Sequence, residues 1–88
     1  MRFIRAFSGT LESNDCLITV EKSNKLTIEI ESIVKKQFGE QIEQVIKTTL
    51  ESLNIKTLYV RCEDKGALDY TIEARLITAV KRLGDLDA

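Results

Sequence analysis

At 88 residues the chain has room for one domain, and a domain of this size buries only about 60–65% of the surface its unfolded form exposes. A single core is therefore expected, without an enclosed cleft between lobes. The apolar and charged fractions, 43% and 31%, exclude a disordered chain. Histidine is absent, which removes the commonest general base and the commonest metal ligand together. Tryptophan and proline are absent too, so proline-rich linkers are excluded. Lys and Arg total 13 against 14 Asp and Glu, a net charge of −1. The basic excess with which nucleic-acid binders hold phosphates is missing. No apolar run approaches the roughly 18 residues of a membrane span, and the first five residues lack a signal-peptide core. A cytoplasmic protein that meets neither nucleic acid nor membrane is the expectation, with no catalytic residue and no metal site.

Residues 2–11 form the first extended stretch, with Phe3 and Phe7 on one face and Ile4 and Ala6 on the other. Residues 16–21 follow, with Cys16, Ile18 and Val20 at period two. After a turn at 22–25, Leu26, Ile28 and Ile30 alternate with Thr27, Glu29 and Glu31, the pattern of a half-buried antiparallel strand. Three strands with short connections read as a meander. From about Ser32 the period becomes helical, and Val34, Phe38, Ile42, Val45, Ile46, Thr49, Leu50 and Leu53 make one apolar stripe. Ser32 can cap this helix and Asn54 can end it in the left-handed conformation. Gly39 inside it costs about 1 kcal/mol, too little to break the stripe.

Residues 57–63 predict a fourth strand with Leu58, Val60 and Cys62 inward. Residues 64–68 are a loop in which Gly66 is free to take positive φ. Asp69 is placed to cap a second helix with Ile72, Leu76, Ala79, Val80 and Leu83 buried, Arg75, Lys81 and Arg82 solvated, and Gly84 as the stop. The order β-β-β-α-β-α makes an α+β fold, a single small domain of four strands in one sheet with two helices packed on it.

Chemically active groupings are few. Cys16 and Cys62 are too few for a disulfide framework, lack metal-ligand spacing and fit small buried hydrophobes. Thr10 and Ser13 have no histidine to activate them. Asp64 and Asp69 flank a glycine loop, where paired carboxylates could work as acid and base; a turn residue and a cap is the plainer account. Tyr59 and Tyr70 could join Phe3 and Phe7 in a base-stacking platform, but the charge balance opposes it, and strand aromatics are usually core. The segment Gly9-Thr10-Leu11-Glu12-Ser13-Asn14-Asp15 is the informative one. Ser-Asn-Asp is a strong turn signal that puts Ser13 at or near an exposed hairpin tip. On these residues alone it is a turn serine.

That segment resembles the surroundings of the modified serine in the acyl carrier (gamma) subunit of citrate lyase. Lys36-Gln37-Phe38-Gly39 is similar to the same family, as is Asp64-Lys65-Gly66-Ala67-Leu68-Asp69 followed by Ala74-Arg75-Leu76. The matches run in the same order and span nearly the whole chain, so residues 1–88 are expected to be one acyl carrier domain. Tyr70 stands where relatives often have a small residue, and relatives often carry a longer tail. The resemblance implies that Ser13 bears, through a phosphodiester, a covalent phosphoribosyl-dephospho-CoA arm, 2'-(5''-phosphoribosyl)-3'-dephospho-CoA, absent in the apo-protein. It implies acetyl and citryl thioesters carried between an alpha subunit that transfers the acyl group and a beta subunit that cleaves citrate to oxaloacetate. The chain itself would be a non-catalytic phosphoprotein of citrate fermentation, and its partners those two subunits and a prosthetic-group transferase. Carriers of malonate decarboxylase and of citramalate lyase remain alternatives, as does a small α+β binding module without a covalent group. The four-helix carriers of fatty-acid synthesis present an Asp-Ser-Leu that this chain lacks.

Chain direction gives one more expectation. If the first strand runs up to a hairpin tip at Ser13, the third also runs up. A right-handed crossover then returns the fourth parallel to it. Both helices would start at the Ser13 end, where their N-termini favour anions, and Lys65 would add a full positive charge for the arm's phosphates or for the enzyme that installs it.

Overall fold

A computed structural model describes residues 4–33 and 35–84 of the chain. Within that span run β1 (Arg5–Gly9), β2 (Cys16–Glu21), β3 (Leu26–Ser32), α1 (Lys35–Ser52), β4 (Leu58–Asp64) and α2 (Asp69–Leu83). Element order and fold class are those the periodicities predict. Arg2, Phe3 and Val34, placed by sequence in the first strand and the first helix, lie outside the described residues.

The sheet order is β1-β2-β4-β3, which corrects the expected meander. β3 pairs with β4, in parallel, and β2 pairs antiparallel with both β1 and β4. The connection at 22–25 therefore passes across the end of β4. Two strand spacings are about 10 Å, well within the reach of four residues. Burial shows why β4 takes the inner place: Leu58, Val60 and Cys62 are fully buried, whereas Leu26, Ile28 and Ile30 stay partly open along the edge. Alternation alone does not distinguish an edge strand from a central one.

One face of the sheet carries the core. Ala6, Cys16, Ile18, Val20, Leu58, Val60 and Cys62 meet Ile42, Ile46 and Leu50 of α1 and Ile72, Leu76, Ala79, Val80 and Leu83 of α2. α2 lies over β1 and β2, and α1 over β3. On the other face, which no described helix covers, Arg61 pairs with Glu29 (3.5 Å), Glu31 (2.5 Å) and Glu63 (3.6 Å). The Tyr59 hydroxyl donates to Glu29 at 2.6 Å, and that bond raises its pKa. Phe7 is half exposed on this face, so the strand aromatics Phe7 and Tyr59 are not core. Tyr70 lies on α2, on the helix side of the sheet, and shares no platform with them.

Helix ends follow local chemistry, with one correction, at Asp69. Asn54 has φ +60, the Asn54 N–H donates to the Glu51 carbonyl (3.0 Å) and the Ile55 N–H to Leu50 (2.9 Å), the hydrogen bonds of a left-handed C-terminal cap. Gly84, at φ +92, ends α2 the same way. Asp69, by contrast, is the first residue of α2 and not its cap; Leu68 holds the cap position without a side-chain bond. Ser32 is the last residue of β3, and its hydroxyl donates to Asp64 at 2.7 Å.

Candidate functional site

The site-bearing end of the domain is a row of three paired residues. Ser32 pairs with Asp64, and Asp64 with Cys16. β2 starts at Cys16, so the β1–β2 turn stands above this row. α1 begins three residues after Ser32 and α2 five after Asp64. Both helix N-termini therefore lie on the turn's side of the sheet, as chain direction requires, and their partial positive charge faces that side.

The turn itself is held from several sides. Gly9 has φ +103, and a Cβ there would sit 1.8 Å from the Cys16 carbonyl oxygen, so only glycine fits beside β2. The Asp15 N–H donates to the Glu12 carbonyl at 3.2 Å, which makes Ser13 and Asn14 the central residues of a β-turn. Asn14 supplies the required positive φ, +65. Ser13 is exposed at the apex, and its hydroxyl has no hydrogen-bond partner among the described residues. Thr10 differs: its hydroxyl donates to Asp15 at 2.8 Å and accepts from the Glu12 N–H at 3.2 Å.

Asp15 organises this platform. Arg75 donates to both its oxygens, Nε to Oδ1 at 3.0 Å and Nη2 to Oδ2 at 2.8 Å. The Cys16 N–H donates to Oδ1 at 2.7 Å. Chiefly because of the Arg75 hydrogen bonds, the carboxyl is held down to about 2. Arg75, assigned by sequence to the solvated side of α2, is instead a half-buried clamp. Its position three after Ile72 and four before Ala79, on the margin of the buried stripe, is the signal for this.

A second loop abuts the turn. The Asn14 N–H donates to the Lys65 carbonyl (2.8 Å), and the Lys65 N–H to the Asp15 carbonyl (2.9 Å). Ser13 and Lys65 thus belong to one end of the sheet and to adjoining loops. Asp64, fully buried beneath them, accepts from Ser32 and from the Ala67 N–H (2.9 Å), fixing the loop. The Asp64–Asp69 pair does not converge on a cation: Asp69 accepts instead from the Gln41 amide, 3.1 Å to each oxygen, and no group of three or more metal-ligating side chains occurs among the described residues. Cys16 and Cys62 are buried free thiols. Hydrogen bonding of the Cys62 S–H to Cys16 and burial push the Cys62 thiol up, away from the nucleophilic thiolate.

Phe38, expected in the buried stripe of α1, is about half exposed and lines an open groove with Gln41, Gly66, Leu68, Asp69 and Tyr70. It lies in the first turn of α1, three residues after the helix starts. The unpartnered Ser13 hydroxyl, the Lys65 loop and the two helix N-termini all lie at this end of the domain.

A family model described as the malonate decarboxylase delta subunit (MdcD), an acyl carrier family, matches residues 4–83. The citrate lyase acyl carrier protein of Halothermothrix orenii is 50% identical over 78 residues, 88% of this chain and 83% of that protein. The chain belongs to the citrate lyase acyl carrier protein family. Other carriers of the family bear this out. That of Streptococcus mutans is 49% identical over 84 residues, 93% of this chain and 82% of its own. That of Lactiplantibacillus plantarum is 53% identical over 78 residues, 88% and 81% respectively. The carrier fold also matches a chain in the crystal structure of a Pseudomonas malonate decarboxylase hetero-tetramer in complex with malonate. The TM-score is 0.79 at 20% identity, covering 91% of this chain and 84% of that one. No helix among the described residues is long and apolar enough to cross a membrane.

Proposed function

We propose that this chain is the acyl carrier subunit of a citrate lyase, bearing its prosthetic arm on Ser13. The observation that carries the reading is the contrast among hydroxyls at one end of the domain. Thr10 and Ser32 donate to carboxylates, whereas Ser13 projects from a braced turn with its oxygen free. A carrier needs an exposed attachment atom on a rigid support, and Asp15, Arg75 and the Lys65 loop provide that support.

The arm implied by the family is phosphoribosyl-dephospho-CoA, whose terminal thiol supplies thioester chemistry that no side chain here can supply. The chain's own contribution is attachment and presentation. Ser13 holds the phosphodiester, and Lys65 stands on the adjoining loop as the candidate phosphate contact. The buried thiols of Cys16 and Cys62 stay out of acyl transfer. Catalysis belongs to the alpha and beta subunits, loading to a prosthetic-group transferase, and the whole to the cytoplasm.

Intact mass and peptide mapping of the protein isolated from its native host test the reading. A mass increment on the peptide containing Ser13 is expected, and an unmodified chain in an active lyase would overturn it. A malonate decarboxylase carrier is the second reading, favoured by the description of the matching family model and by the fold relationship. Reconstitution of the holo-protein with each pair of catalytic subunits separates the two. Citrate cleavage without malonate decarboxylation is expected.

A further inference from the structure

We propose that the groove between α1 and residues 66–70 is the resting site of the purine nucleoside portion of the arm on Ser13. The inference deepens the carrier reading and rests on it. The groove has a volume of ≈ 550 Å³ and is lined by Phe38, Gln41, Gly66, Leu68, Asp69 and Tyr70. That volume is in the range of small-ligand sites. Phe38, Leu68 and Tyr70 are 48%, 58% and 69% exposed, so a large apolar surface is left in water beside the attachment turn.

Position argues for the arm as occupant. Gly66, at one end of the groove, is the neighbour of Lys65, whose main chain is bonded to both Asn14 and Asp15. A Cβ placed on Gly66 would lie 3.7 Å from the Asn14 Oδ1. The groove therefore comes within one residue of Ser13, in reach of the first groups of a tethered arm.

Charge and hydrogen bonding select the portion of the arm. One N–H of the Gln41 amide is shared between both Asp69 oxygens, which leaves the groove with the remaining carboxylate lone pairs and the Gln41 Oε1 as acceptors and the second Gln41 N–H as a donor. A phosphate would face the Asp69 charge here, and an acyl chain would leave these acceptors without donors. An adenine offers a flat π-face for Phe38 and Tyr70 and an amino group for Asp69 or Gln41. The phosphates then remain on the Lys65 side of Gly66.

The test compares the isotope-labelled apo- and holo-forms of the whole chain by NMR, with loading verified by mass. Beyond the turn residues around Ser13, which the covalent link itself shifts, the expected shifts fall on the amides of 66–70 and 37–41, with NOEs from the adenine protons to the rings of Phe38 and Tyr70. In holo-Tyr70→Ala, an exposed and therefore tolerated substitution, the shifts at Leu68 and Asp69 should fall by more than half with the arm still attached. A loaded protein with unshifted groove amides and no purine NOEs overturns the resting site and leaves the carrier reading standing. Native protein that proves to carry no arm overturns both.

Discussion

The main chains of Asn14 and Lys65 are bonded directly, N–H to carbonyl at 2.8 Å, although 51 positions separate them. The β1–β2 turn and the loop that starts α2 are consequently tied together, and the exposed hydroxyl of Ser13 projects from a surface built by both. The buried Asp64 carboxylate anchors that surface from below and Arg75 from the side.

Ser13→Ala should abolish arm attachment and lyase activity on reconstitution while leaving the fold intact. An exposed turn serine without a side-chain bond costs within about 0.5 kcal/mol on removal. Thermal unfolding and intact mass of the co-expressed variant check both halves. Full activity in Ser13→Ala would refute the site.

Lys65 contributes its main chain to the fold and its ammonium to the surface. Lys65→Glu should therefore slow arm attachment or weaken docking of the catalytic subunits with little change in thermal stability. The rate of loading by the transferase, followed by mass, and binding of the lyase subunits give the readouts. Wild-type behaviour in both would remove Lys65 from the site.

Asp15 carries a pH signature. Its native pKa of about 2 lies below the value near 3.9 of an unfolded aspartate. The carboxylate thus stabilises the fold fully above about pH 4, and the contribution disappears as pH falls through about 2. Asp15→Asn should cost about 1–2 kcal/mol at neutral pH, the range for hydrogen bonds to a charged group discounted for the solvent-screened Arg75. Urea unfolding of both proteins from pH 6 to pH 2 should show the difference narrowing between pH 4 and 2. A pH-independent difference would remove the ion pair from the account.

Gly9→Ala should destabilise by about 2 kcal/mol or more, since it combines a strained positive φ with a backbone contact that no rotamer relieves. Chemical denaturation measures the loss. A near-neutral effect would mean that the β1–β2 hairpin relaxes around the last residue of β1 without cost.

Cys16→Ala and Cys62→Ala should each cost about 1–2 kcal/mol through lost burial and a small cavity and leave carrier activity intact in protein that folds. Native thiols should resist alkylation until the chain is unfolded. Loss of activity in a folded single variant would implicate a second thiol in acyl transfer.

The sequence by itself determined the element order, the direction of each strand and therefore the end of the sheet at which Ser13, Lys65 and both helix starts meet. Local rules suffice there: strand alternation, helical period, the Asn and Gly residues at 54, 66 and 84 whose positive φ ends a helix or turns a loop, and the right hand of the β3-α1-β4 crossover. The motif around Ser13 also pointed to the family. Only the tertiary structure decided that β4 lies between β2 and β3, because inward alternation is the same on an edge as in the centre and burial depends on which neighbours arrive. It likewise turned Arg75 from a solvated residue into the clamp on Asp15, made Asp69 a partner of Gln41 and left Phe38 lining a groove. Each of these depends on what lies across space from the side chain, and periodicity along one element carries no record of that.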